Sequence, residues 1–161
     1  MKSIIAFYTR TGNTKKVAEL IEKQLNADTE EIIDKKNRSG FFGWLKSGYH
    51  ATMGKTTEIG ELKSDPSQYD IIILGTPNWN KRMTPAIRTY INRFKEDFKN
   101  VAIYCTAEGR GVDSLLGDLK ELIGKEPIAK MGFIKKDAEE NVLDIKIKEF
   151  TEKIQNSMKV D

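Results

Sequence analysis

The chain reads as a doubly wound α/β domain, a five-stranded parallel sheet with helices on both faces. Three observations predict it. Apolar residues alternate between continuous runs and helically spaced sets. The runs lack in–out alternation, which marks strands covered on both faces. Strands that alternate with helices along a chain build βαβ units and therefore a parallel sheet.

The elements follow in order. Ile4, Ile5, Ala6, Phe7 and Tyr8 form the first strand, and Val17, Leu20, Ile21 and Leu25 the apolar face of the first helix. The short apolar pair Ile32–Ile33 lies near an edge strand. Ile71 to Leu74 is the strongest buried-strand run. The next helix starts at Thr84 as N-cap with Pro85 in the first helical position, and its face is Ile87, Tyr90, Ile91 and Phe94. Val101–Cys105 is a further buried strand. Leu115, Leu116, Leu119, Leu122 and Ile123 line a helix ended by Gly124. Residues Pro127–Ile134 read as the fifth strand, and Leu143, Ile147, Phe150 and Ile154 mark the last helix. Between the second and third strands, Phe41, Phe42, Trp44 and Tyr49 cluster near the only histidine, His50. Phe41, Leu45 and Tyr49 share helical spacing. The cluster either packs on the sheet or faces a partner or ligand.

The bulk properties narrow the function. The 161 residues suit one domain spanning 1–161, large enough to bury a core without disulfides or metal. One cysteine, Cys105, forms no disulfide within the chain and fits a reducing cytoplasm. The N-terminal apolar run lacks the small-residue cleavage site of a signal peptide. No stretch approaches the ~18 apolar residues of a membrane span, so no membrane insertion is expected. The net charge of +3 is spread without a single-sign tail, which argues against a nucleic-acid-binding arm.

Three segments follow apolar strands: Thr9–Thr14, Thr76–Thr84 and Thr106–Val112. The first reads Thr9-Arg10-Thr11-Gly12-Asn13-Thr14 and opens a helix. Unpaired N–H groups at a helix start attract an anion, hydroxyls add donors, and Gly12 lets the backbone curl closely. A phosphate monoester could be held there almost without cationic side chains; a threonine-rich capping turn is the plainer alternative. Trp79, in a loop after a buried strand, either stacks on a planar ligand or packs against the helix starting at Thr84. The third segment, Thr106-Ala107-Glu108-Gly109-Arg110-Gly111, has two glycines that allow close backbone approach.

Phe7, Thr9, Gly12, Thr14, Ala18 and Ile21 resemble in type and spacing the flavodoxin phosphate-loop signature, with Ala6 a departure where a larger apolar residue is usual. The resemblance continues through Leu74-Gly75-Thr76-Pro77-Asn78-Trp79 and covers the chain from Ile4 to Ile154. It implies a flavodoxin-like three-layer α/β/α fold with strand order 2-1-3-4-5 and bound flavin mononucleotide (FMN). Thr9, Arg10, Thr11, Gly12, Asn13 and Thr14 would hold the phosphate. Thr76, Pro77 and Asn78 would line the ribityl chain. Trp79, with Asn80 beside it, would flank the ring, and Thr106, Ala107, Glu108, Gly109 and Gly111 would cover its other parts. Ligands of such sheets bind outside the carboxyl ends of the strands, a rule for which flavodoxin is itself an example and which therefore adds no independent support.

Two departures from the family matter. No tyrosine stands between Thr106 and Leu116 to stack on the ring, and no glycine follows Trp79. Arg10, Lys15, Lys16, Lys81, Arg82 and Arg110 lie in or beside the loops, where flavodoxins are acidic. A positive rim suits an acidic redox partner protein or NAD(P)H. The resemblance therefore implies first a flavodoxin-like electron-transfer protein; the alternative, favoured by the open ring face and the basic rim, is a small FMN-dependent NAD(P)H oxidoreductase acting on a quinone or similar acceptor. Other classes fail. Gly48 to Thr56 has five residues between its glycines where a phosphate-binding P-loop has four. The strand ends lack the acidic cluster of a phosphoacceptor domain. A nicotinamide-binding glycine fingerprint is absent after the first strand. Cys105 and His50 are lone ligands, so no metal is expected.

Overall fold

A computed structural model of the chain describes residues 1–36, 40–139 and 142–159. Its strands are β1 (Ser3–Phe7), β2 (Asp28–Glu31), β3 (Ile71–Pro77), β4 (Asn100–Ala107) and β5 (Ala129–Ile134). Its helices are α1 (Asn13–Leu25), α2 (Gly40–Thr52), α3 (Pro85–Phe94), α4 (Val112–Ile123), α5 (Lys135–Glu139) and α6 (Leu143–Ser157). All strand pairs are parallel and the sheet order is β2-β1-β3-β4-β5. This is the flavodoxin-like order.

The continuous apolar runs fill both faces. Ile4, Ala6, Ile72, Leu74, Val101 and Ile103 point toward α3 and α4, where Ile87, Tyr90, Leu115 and Leu119 meet them. Ile5, Phe7, Ile71, Ile73, Ala102 and Tyr104 point the other way, toward Val17 and Ile21 of α1 and Ile147, Phe150 and Ile154 of α6. Successive residues on a strand thus serve opposite cores, which is why no alternation is visible. Helix ends follow their sequence signals. Gly124 takes the left-handed conformation (φ 75°) and closes α4 through its N–H to Lys120 O. Thr84 and Pro85 open α3.

Three elements take a form that the sequence left open. The edge strand expected near Ile32–Ile33 lies at Asp28–Glu31, directly before that pair. Its polar residues have work that periodicity does not reveal. Glu30, almost fully buried, accepts the N–H groups of Lys63 and Ser64, and Asp28 accepts the Tyr69 hydroxyl. Ile32 is buried just beyond the strand and its N–H still reaches Phe7 O, while Ile33 is exposed. Second, the aromatic segment is a full helix, α2, with Tyr49 exposed and His50 buried. The side chains of Phe41, Phe42 and Trp44 lie outside the described residues. Third, the short helix α5 follows β5 directly, with Asp137 accepting the Ile134 N–H and pairing with Lys146 of α6.

One close approach sets the middle of the sheet. A Cβ on Gly75 would overlap the ring of Tyr104 on the neighbouring strand. That ring reaches over β3 to donate its hydroxyl to Thr14 O at the start of α1, 3.1 Å away. Gly75→Ala should therefore destabilise the protein by about 1–3 kcal/mol through overpacking. Gly117→Ala, exposed in α4 with no neighbour within 4 Å of its Cβ, should stabilise it by about 0.5–1 kcal/mol. Urea unfolding of the two variants should shift the midpoint in opposite directions; a shared direction would contradict the packing at Gly75.

Candidate functional site

The carboxyl ends of β1, β3, β4 and β5 open into one cavity of about 590 Å³. That lies within the roughly 300–1,000 Å³ usual for small-molecule sites. A separate depression of about 650 Å³ lies beside Ile59 and Phe94, away from the three loops.

The first loop turns sharply because Gly12 is left-handed (φ 92°) and serves as N-cap of α1. Thr9 Oγ1 accepts the Gly12 N–H at 3.0 Å, so this hydroxyl shapes the turn. α1 has no side-chain cap and no acidic residue in its first turn. Its first intrahelical bond runs from Lys16 N–H to Gly12 O. The N–H groups of Asn13, Thr14 and Lys15 precede that bond and point out of the helix end. Arg10, Thr11, Asn13 and Lys16 line the cavity here. Thr14 is buried, and its hydroxyl meets that of Thr106 at 2.8 Å, joining the first loop to the third.

In the second loop, Pro77, Asn78 and Trp79 line the cavity. Thr76 does not; it is fully buried, and its hydroxyl accepts the Thr84 N–H at 3.2 Å beneath the loop. Trp79 stands edge-on to Tyr8, with ring centres 5.5 Å apart and planes at 88°, and the Arg10 guanidinium lies 5.9 Å from its ring centre. Beyond it the chain makes a two-residue turn, closed by paired backbone bonds between Trp79 and Arg82. Asn80 and Lys81 are both left-handed, at φ 54° and 65°. Asparagine tolerates this; for lysine it costs of order 1–3 kcal/mol. Side chains hold the turn. Asn78 Oδ1 accepts the Lys81 N–H at 2.7 Å, and Asn80 Nδ2 donates to Thr52 Oγ1 of α2 at 2.6 Å.

In the third loop, Thr106, Ala107 and Glu108 line the cavity, while Gly109 faces solvent. Gly111 is left-handed (φ 79°), and a Cβ there would come within 2.7 Å of Lys81 Cγ. Asn78 Nδ2 donates to Arg110 O at 2.7 Å, so the second and third loops are stapled together. Of the expected residues, ten line the cavity; Thr9, Gly12, Thr76, Asn80 and Gly111 lie behind or beside it, and Gly109 faces solvent.

A fourth wall escaped the sequence reading. Phe133, Ile134 and Lys135, from the end of β5 and the start of α5, close the cavity with Ala138 and Leu143. The signal was available, because β5 ends on the same edge as the other parallel strands. Lys16 and Val17, on the first turns of α1, were read as rim and core and also face the cavity. The basic rim is thinner than its residue count suggests. Lys15 pairs with Glu31 and Arg82 with Asp118, both at 3.1 Å. Among the described residues, Arg10, Lys16 and Lys135 nevertheless give the cavity three cations against one carboxylate, Glu108.

The arrangement combines uncapped helical amides, three lining cations and an indole around one cavity, which suits an anionic ligand with a planar part. The one cysteine takes no part. Cys105 is fully buried, and burial pushes its thiol up to about 12. A thiol reagent at pH 8 should therefore label it only after unfolding; rapid labelling of the native protein, read as released chromophore, would contradict its burial.

Residues 3–124 match the family described as NADPH-dependent FMN reductase. No curated protein matches the chain in sequence. Among solved structures, a flavoprotein from Lactobacillus acidophilus NCFM, in complex with FMN, superposes with a TM-score of 0.72 at 22% identity, over 86% of this chain and 97% of its own. Flavodoxin 2 from Bacillus cereus superposes with a TM-score of 0.56 at 17% identity, over 98% and 99%. At these identities the likeness is one of fold.

Proposed function

Because the chain belongs to the NADPH-dependent FMN reductase family and is an FMN-binding flavoprotein of flavodoxin-like fold, we propose that it is a small oxidoreductase that takes reducing equivalents from NAD(P)H. The observation that carries the reading is the cavity itself: anion-binding at the start of α1, cationic along its walls, and free of any aromatic ring in the third loop. Residues 1–161 would act as one domain, and the cytoplasm suits a protein that draws on NAD(P)H. No helix among the described residues is long and apolar enough to cross a membrane.

The residues fit FMN from end to end. The N–H groups of Asn13, Thr14 and Lys15, with Thr11 and Lys16, would hold the phosphate. Pro77 and Asn78 would border the ribityl chain. Trp79 would lie against the ring, with Thr106–Glu108 across from it. Bound FMN would supply a ring that accepts hydride from a nicotinamide and returns electrons singly or in pairs. The chain's own part is to bind, orient and tune. Thr9 and Gly12 fix the turn of the first loop, and Thr14 and Thr106 lock it to the third. Arg10, Lys16 and Lys135 favour an anionic ligand and an anionic reductant, and a third loop without an aromatic ring leaves room for a nicotinamide to approach. The electron-carrier reading keeps one support of its own, the flavodoxin-type loop Thr9–Thr14; it requires a one-electron donor instead of NAD(P)H.

Two measurements test the proposal. FMN should bind at least about 100-fold more tightly than riboflavin, as expected for two charge-assisted hydrogen bonds at roughly 1.5–3 kcal/mol each; equal affinities by fluorescence titration would remove the phosphate from the first loop. Anaerobic NADPH or NADH should then bleach the bound flavin's visible absorbance. A flavin that stays yellow with both nucleotides, yet is reduced by a one-electron donor, would leave the carrier reading in its place.

A further inference from the structure

Asp118 of α4 lies outside the cavity, yet three groups converge on it. Its Oδ1 accepts from Arg82 Nη1 at 3.1 Å, its Oδ2 accepts the Met83 N–H at 3.2 Å, and Arg88 Nη2 donates to both oxygens at 3.2–3.4 Å. The carboxylate is only 10% exposed and Arg88 13%, so this is a shielded cluster, whereas Arg82 is 45% exposed. Two cations meet one anion. Arg88 Nε is buried without a partner among the described residues, so the guanidinium depends on Asp118 for its compensation. The end of α2 leans on the same group, because a Cβ on Gly54 would lie 3.7 Å from the centre of that guanidinium.

The two groups that Asp118 takes from the second loop, the Arg82 side chain and the Met83 N–H, are the exit of the turn that Trp79 enters. That turn holds Asn80 and Lys81 in left-handed conformations, which persist only where the surroundings over-determine them. We infer that Asp118 is a positioning residue for the flavin site: it anchors the turn from behind and thereby sets where Trp79 stands against the ring. The inference rests on the reading that FMN occupies the cavity with its ring at Trp79. Neutralising the carboxylate while keeping its shape, as in Asp118→Asn, leaves Arg82 and Arg88 as adjacent uncompensated cations. Arg82 is the exposed partner and swings out, and the turn loosens with it. The phosphate end, held by the first loop, is untouched.

The experiment titrates wild type and Asp118→Asn with FMN and with riboflavin, and records flavin fluorescence and the visible circular dichroism of the bound flavin. Both affinities should fall by the same factor, roughly fivefold or more, within the range of coupling between linked sites. The FMN-to-riboflavin ratio should stay at its wild-type value. The dichroism should change and quenching of the flavin should weaken. Arg82→Gln, which removes only the loop's own half-exposed partner and leaves Asp118 paired with Arg88, should move the same readings in the same direction. A variant that is merely less stable to heat, with affinities, fluorescence and dichroism of wild type, would overturn the inference, and so would a loss confined to FMN. Wild type that fails to bind FMN would instead overturn the reading of the cavity, on which this inference stands.

Discussion

Thr14, at the start of α1, and Thr106, at the end of β4, share a hydrogen bond of 2.8 Å in a place closed to water, although 92 residues separate them. Tyr104, two residues before Thr106, donates its hydroxyl to Thr14 O and reaches there only because Gly75 leaves its path clear. Each of these groups would cost about 1–3 kcal/mol if buried without its partner. The start of α1 is therefore fixed to the central strands of the sheet, and its uncapped N–H groups face a set direction. The first and third loops cannot move apart without breaking this contact. The second loop is tied in turn to the third through Asn78, Arg110 and Gly111. The site is built from three loops and the β5–α5 wall, but the three loops are held together by the strands beneath them.

Much of this was legible in the sequence, and the boundary of legibility has physical causes. β1, β3 and β4 were plain because they are apolar on both faces, and α3 because a threonine and a proline announce its start. The turn of the first loop was legible because a glycine among threonines between a strand and a helix marks a sharp helix start. The edge strand β2 was announced only by its neighbours Ile32–Ile33, because its own buried polar residue, Glu30, is satisfied by the remote backbone of Lys63 and Ser64. The five-residue helix α5 has no period to read, and with it went the cavity's fourth wall. Thr76 has the residue type of a ligand contact, but it is fully buried and its hydroxyl is spent on Thr84, whereas Thr14 lines the cavity. No local pattern distinguishes a threonine that faces a cavity from one that turns beneath it.

Charge illustrates the same limit. Six cations stand in or next to the loops in sequence, but two of them are committed to carboxylates from other elements, Lys15 to Glu31 and Arg82 to Asp118. A further cation, Lys135, reaches the cavity from β5–α5. The cavity's positive balance thus survives with partly different members. Exposed cations act weakly and are screened by salt. Their effect is greatest on the encounter with an anionic nucleotide and smaller on the bound state. On the proposed reading, tight binding of the phosphate would fall instead to the fixed amides of α1, whose orientation would cost nothing further when the ligand arrives.

That division of labour is the central claim, and amide proton shifts test it most directly. In the ¹⁵N-labelled protein, addition of FMN should move the backbone amide protons of Asn13, Thr14 and Lys15 strongly downfield, as expected for N–H groups donating to a phosphate. Riboflavin should leave those three near their unliganded positions while still shifting Trp79 and Ala107. Equal shifts of the α1 amides with both ligands, or FMN shifts centred on Ile59 and Phe94 beside the second depression, would contradict the account.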